Sequence, residues 1–99
     1  MWILRTVSDD LPEKTFRILP GGIRTIGRST GADFIVDAAL VSRVHCRLTA
    51  HAGGKLEVRD LGSTNGTFVN GRRVETACLT SGDTLSVGRV DLMAMRETD

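Results

Sequence analysis

Apolar and polar positions alternate with a period of two along most of this chain. Val44, Cys46, Leu48 and Ala50 interleave with His45, Arg47, Thr49 and His51, and Leu56 and Val58 interleave with Glu57 and Arg59. That period belongs to a strand with one buried face. Read this way, strands are predicted over residues 2–7, 15–19, 23–27, 34–36, 44–50, 56–60, 67–69, 84–87 and 90–95, with a further short one over 72–75. Turn signals separate them: Pro20-Gly21-Gly22, Ala52-Gly53-Gly54 and Ser81-Gly82-Asp83. No stretch carries the apolar stripe of a helix. Many short strands at this spacing predict an all-β fold, a β-sandwich of two twisted, mainly antiparallel sheets. The 99 residues read as a single domain, long enough to bury a core unaided. Residues 9–14 and the last few are expected to be mobile.

Composition narrows the function classes. Formal charge is +1 and aromatic content 4%, so there is neither a basic stripe nor a stacking platform for nucleic acid. Two cysteines, Cys46 and Cys78, do not make a disulfide framework. The opening Met1-Trp2-Ile3-Leu4-Arg5 is too short an apolar run for a signal-peptide core or a membrane span. A cytoplasmic location without membrane contact is the expectation.

The most informative stretch is Ser63-Thr64-Asn65-Gly66-Thr67-Phe68-Val69-Asn70-Gly71. Two Asn-Gly steps, strong turn signals, bracket a very short strand. The first displays Ser63, Thr64 and Asn65 at a loop tip. Upstream, Gly27-Arg28 ends one strand and Ser42-Arg43-Val44-His45 begins another. This ordered set, spread over residues 27–71 with strands on either side, resembles the forkhead-associated (FHA) domain family.

Other chemistries fit these residues less well. On a strand, Ser42 and His45 would lie about 10 Å apart on opposite faces, beyond the reach of a nucleophile and its base, and no Gly-x-Ser-x-Gly elbow occurs. His45, Cys46, His51 and Cys78 lack metal-ligand spacing. Gly27-Arg28-Ser29-Thr30-Gly31 lacks the Gly-Lys-Ser/Thr ending and the helix of a phosphate-binding loop. Neither catalysis, a metal nor a cofactor is therefore expected. What remains is anion recognition by loops. A phosphate group offers three acceptor oxygens and a charge of about −1.5 to −2. One guanidinium (Arg28), two hydroxyls (Ser42, Thr64) and a second cation (Arg43) would complement it.

The resemblance implies the same site with more detail. Arg28 and Ser42 would hold the phosphate of a phosphothreonine, Thr64 would add to that shell, and Asn65 would bond the peptide backbone. Arg43 would supply a further phosphate contact. Gly27, His45 and Gly66 would be scaffold. An apolar niche for the threonine γ-methyl is implied as well. The partner would be a protein phosphorylated by a serine/threonine kinase, bound with micromolar-class affinity. Selectivity around the phosphothreonine would lie in residues 29–33, 37–41 and 72–81. Some relatives carry a charge where Leu40 stands, which implies an apolar rather than acidic preference here. The alternative is a phospho-independent interaction or oligomerisation module using the sandwich surface. Thr98 in the tail is a lesser candidate for phosphorylation and capture by a neighbouring copy.

Overall fold

Leu4, Leu48, Leu56, Val58, Leu85 and Leu92 are completely buried, and each alternates along its strand with solvent-facing or half-buried residues. That alternation places the core between two sheets. The computed structural model describes residues 1–7 and 12–97. Its strands are β1 (Trp2–Thr6), β2 (Thr15–Ile18), β3 (Ile23–Gly27), β4 (Phe34–Ile35), β5 (Cys46–Ala50) and β6 (Leu56–Asp60). They are followed by β7 (Thr67–Val69), β8 (Arg72–Val74), β9 (Thr76–Leu79), β10 (Thr84–Val87) and β11 (Val90–Arg96). One sheet has six strands in the order β2-β1-β11-β10-β7-β8, and the other has five in the order β4-β3-β5-β6-β9. Pairing is antiparallel except for β3 with β4. The all-β sandwich expected from the alternation is the fold observed.

Two departures from the expected strands matter, together with one agreement. Residues 72–81, read largely as a selectivity loop, hold β8 and β9, which pair with β7 in one sheet and β6 in the other. The segment is a crossover between the sheets. β9 escapes sequence reading because Thr76 and Cys78 are exposed and Ala77 is small, so its apolar signal is weak. Second, β5 starts at Cys46 rather than Val44, which leaves residues 42–45 in a turn. In agreement with the sequence, the second Asn-Gly forms a tight hairpin turn. Asn70 and Gly71 both take positive φ, 51° and 82°, as a type I′ turn between β7 and β8 requires. Much of the stretch expected to be mobile, and Thr98, fall outside the described residues. Lys14 is placed: its N–H donates to Thr6 Oγ1 (2.7 Å) and its Nζ to the Ile35 carbonyl (2.9 Å).

Candidate functional site

Three loops meet at one end of the sandwich: β3–β4, β4–β5 and β6–β7. The first two are zipped together by backbone. Arg28 N–H donates to the Ser42 carbonyl (3.0 Å) and Ser29 N–H to the Arg43 carbonyl (3.2 Å). Gly27 makes this possible. A Cβ there would collide with the Arg43 carbonyl and lie 2.9 Å from the Val44 Cα, so any side chain would force the loops apart.

Arg28 is exposed, and its Nε–H donates to the Val41 carbonyl (3.0 Å). That bond fixes the plane of the guanidinium and leaves its terminal N–H groups without a partner among the described residues. No carboxylate stands within ion-pair distance of it there either. Ser42, half-buried, accepts a hydrogen bond at Oγ from the Thr64 N–H (3.1 Å). A hydroxyl has one proton and two lone pairs, so the Ser42 proton remains available to a ligand. Thr64 is exposed. Arg43 is exposed, and its carbonyl also accepts from Ser29 Oγ (3.2 Å). Asn65 donates from Nδ2 to the Leu40 carbonyl (2.9 Å). A carbonyl needs a donor, so the amide's orientation is settled and its Oδ1 points away from Leu40.

His45 ties the arrangement together from below. The alternation predicts a strand that sets His45 on the face opposite Ser42, and the structure differs. The chain turns at residues 42–45, and the Ser42 N–H donates to His45 Nδ1 (3.1 Å). Because Nδ1 accepts, Nε2 carries the ring proton and donates it to the Gly66 carbonyl (2.8 Å). The ring is 0% exposed and spans the β4–β5 and β6–β7 loops. The Ser42 contact runs through its amide, and the hydroxyl faces Thr64, so this is not a nucleophile–base pair. Gly66 has φ 91°, and a Cβ there would lie 2.9 Å from Arg73 Nε, which explains glycine at this turn.

The sequence predicts Ser63 as a displayed hydroxyl and carries no motif at Asp60. In the structure they form a hub. Asp60 Oδ1 accepts from Ser63 Oγ and Thr67 Oγ1 (2.7 Å), and Oδ2 accepts from the Gly62 and Ser63 N–H groups (both 3.1 Å). Ser63 Oγ in turn accepts from the Gly66 N–H (3.0 Å). Partial burial pushes the Asp60 carboxyl up. The bonds from Ser63, Thr67 and Gly62 outweigh that and hold it below the usual carboxylate range. An aspartate three residues before a serine in a glycine-bounded turn was the available signal. Beneath it, burial first and the Asp60 charge second push the Cys46 thiol up to about 12, partly opposed by Thr67. Cys46 is an inert core residue.

Beside Asn65 runs a groove of about 400 Å³ lined by Leu40, Asn65, Phe68, Gly88 and Arg89. It contains Leu40 and a cation from the β10–β11 turn that sequence reading did not connect with the site.

A sandwich whose loop end presents an anchored arginine beside hydroxyl groups has the means to accept an anionic group. The FHA domain model matches residues 24–88, and the chain belongs to the FHA domain family. It is 44% identical over 79 residues to the ABC transporter ATP-binding/permease protein Rv1747 of Mycobacterium tuberculosis, covering 80% of this chain and 9% of that protein. It is 39% identical over 67 residues to the glycogen accumulation regulator GarA of Mycolicibacterium smegmatis, covering 68% of this chain and 42% of GarA. The chain thus spans less than half the length of these relatives. Among solved structures, the FhaA FHA domain complexed with the intracellular domain of Rv3910 superposes with a TM-score of 0.84 at 31% identity, covering 95% of this chain and 99% of that one. The FHA domain of the CT664 protein from Chlamydia trachomatis superposes with a TM-score of 0.92 at 20% identity, over 98% of both chains. That likeness speaks to the fold alone.

Proposed function

We propose that this domain binds a phosphothreonine-bearing segment of a protein phosphorylated by a serine/threonine kinase, and that it acts as an adaptor with no catalysis of its own. The observation that carries this reading is the anchored cation beside the free hydroxyl. Arg28 is held by the Val41 carbonyl and its backbone is bonded to Ser42, whose Oγ is held in turn by the Thr64 amide. Arg28 and the Ser42 hydroxyl take the phosphate, Thr64 completes that shell, and Arg43 adds a further charge-assisted contact. Each such bond is worth about 1.5–3 kcal/mol. Preorganisation lowers the ordering cost of binding.

Asn65 supports recognition of the ligand backbone. One N–H of its amide holds Leu40, and Oδ1 and the second N–H are left for the main chain of an extended peptide. The groove beside it receives a ligand side chain. Leu40 and Phe68 offer it apolar contact and Arg89 offers charge, so an acidic residue with an aliphatic stem suits it as well as an apolar one. Gly27, His45 and Gly66 keep the loops in register. Among the described residues no helix is long and apolar enough to cross a membrane; a cytoplasmic location is part of the same kinase-linked proposal.

Calorimetry with one peptide in threonine, phosphothreonine and phosphoserine forms tests this. The phosphothreonine form is expected to bind, the unphosphorylated form not, and phosphoserine more weakly by about tenfold or less, the worth of one methyl. Equal binding of phosphorylated and unphosphorylated forms would overturn the reading in favour of a phospho-independent interaction module.

A further inference from the structure

On the outer face of the five-stranded sheet, Arg47 of β5 and Arg59 of β6 stand directly opposite each other. Their neighbours Cys46, Leu48 and Val58 face the core, so both guanidinium stems leave on the solvent side. Thr25 of β3 and Thr76 of β9 flank them across the sheet. Like charges directly opposite on adjacent strands are destabilising, and exposed sheets ordinarily place opposite charges there. Neither arginine has a carboxylate within 4 Å or a hydrogen-bond partner among the described residues. Three carboxylates of this sheet and its loops have other partners. Asp33 Oδ2 accepts from the Thr25 N–H (2.9 Å), Glu57 contacts His51 (3.3 Å), and Asp60 serves Ser63 and Thr67.

The position of the pair relative to the loops is informative. Arg47 lies five residues after Ser42, and Arg59 five residues before Thr64. Each is therefore at most about 17 Å of chain from the site residue its strand supports. An extended ligand covers that distance in about five residues at most.

We propose that Arg47 and Arg59 form a second phosphate-recognition point, which takes a further phosphorylated residue of the same partner segment about four residues from the phosphothreonine. Two guanidinium groups on adjacent strands balance the charge of a doubly ionised phosphate and match its three oxygens, whereas one carboxylate would leave a cation uncompensated. The inference rests on phosphothreonine binding at the loop end.

Fluorescence anisotropy with synthetic peptides tests it. One set carries phosphothreonine alone. A second adds phosphoserine four residues before or after it, a third puts glutamate at those positions, and a fourth puts the phosphoserine ten residues away. One of the two near arrangements is expected to tighten binding at least about tenfold over phosphothreonine alone, with a smaller gain from glutamate. The Arg47→Thr/Arg59→Thr variant keeps strand-favouring residues on an exposed face. It is expected to bind the singly phosphorylated peptide like wild type and to lose the gain. If the singly phosphorylated peptide binds but neither near phosphoserine adds affinity, the second point is overturned and the loop-end reading stands. An equal gain from the distant phosphoserine, or a gain that survives the double variant, also overturns it. If no phosphorylated peptide binds, both fall.

Discussion

The chain uses Asn-Gly twice, five residues apart, and the two copies do different work. At Asn70-Gly71 both the amide nitrogen and the amide oxygen of the asparagine are engaged by its own protein. Its Nδ2 donates to Asp83 Oδ1 (3.0 Å), its Oδ1 accepts from the Thr84 N–H (2.8 Å), and both residues hold the positive φ of a hairpin turn. At Asn65-Gly66 only the glycine has positive φ, and the asparagine uses Nδ2 to reach Leu40 in another loop. Its Oδ1 has no partner among the described residues. Each turn also rests on an aspartate held below the usual carboxylate range. For Asp60 the bonds from Ser63, Thr67 and Gly62 outweigh burial, and for Asp83 the Thr80 N–H and the Asn70 amide are the main causes. One dipeptide thus closes a hairpin where its polar atoms are satisfied internally, and builds a site where one is not. The surplus of hydrogen-bonding capacity, not the motif, separates them.

That difference can be attacked directly, beginning with the change of largest effect. Arg28→Ala should cost about 2–4 kcal/mol of phosphothreonine-peptide affinity, roughly 30- to 1000-fold, with Tm nearly unchanged. Calorimetry and thermal melts together check it, and a variant with unaltered affinity would remove the recognition end from the comparison. Asp60→Ala should lower stability by about 2–3 kcal/mol and weaken peptide binding as the β6–β7 loop loosens. Asp83→Ala should lower stability by about 1–2 kcal/mol and leave affinity alone. Denaturant unfolding and peptide titration on the same samples separate the two.

The pH dependence follows from the same carboxylates. Both have folded-state pKa values below those of the unfolded chain, which sit near 3.9. The stability they contribute is therefore fully present above that value and is lost as pH falls through the folded-state values. Tm should decline as pH is taken from about 5 towards 2, and the decline should flatten in an Asp60→Ala/Asp83→Ala variant. A wild-type profile flat over that range would show that neither turn rests on an ionised carboxylate. The smallest effects are the most discriminating. Asn65→Ala should cost about 1–2 kcal/mol of affinity and little stability, and Asn70→Ala about 1 kcal/mol of stability and no affinity. Finding the reverse would invert the assignment of the two turns.

Much of the architecture was legible because alternation is a local property. Leu48, Leu56, Val58 and Leu85 face inward as the period of two requires. Legibility failed where a residue's surroundings come from elsewhere in the chain. β9 has almost no apolar signal, and it is a strand because Leu56–Arg59 lends it a pairing edge. His45 reads as the polar side of a strand, yet it is buried between a loop amide and a carbonyl 21 residues on. Asp60 carries no motif of its own, and its importance comes from the four bonds that converge on it.

The residues alone determined the strand content, the sandwich class and which side chains could hold a phosphate, since periodicity, turn chemistry and charge are written along the chain. Tertiary structure alone decided that Arg28, Ser42 and Thr64 share one end, that the Asn65 oxygen has no partner among the described residues while that of Asn70 has one, and that Arg47 meets Arg59 across a strand pair. Those facts depend on sheet register and loop packing between segments 12 to 25 residues apart, and no local pattern encodes them.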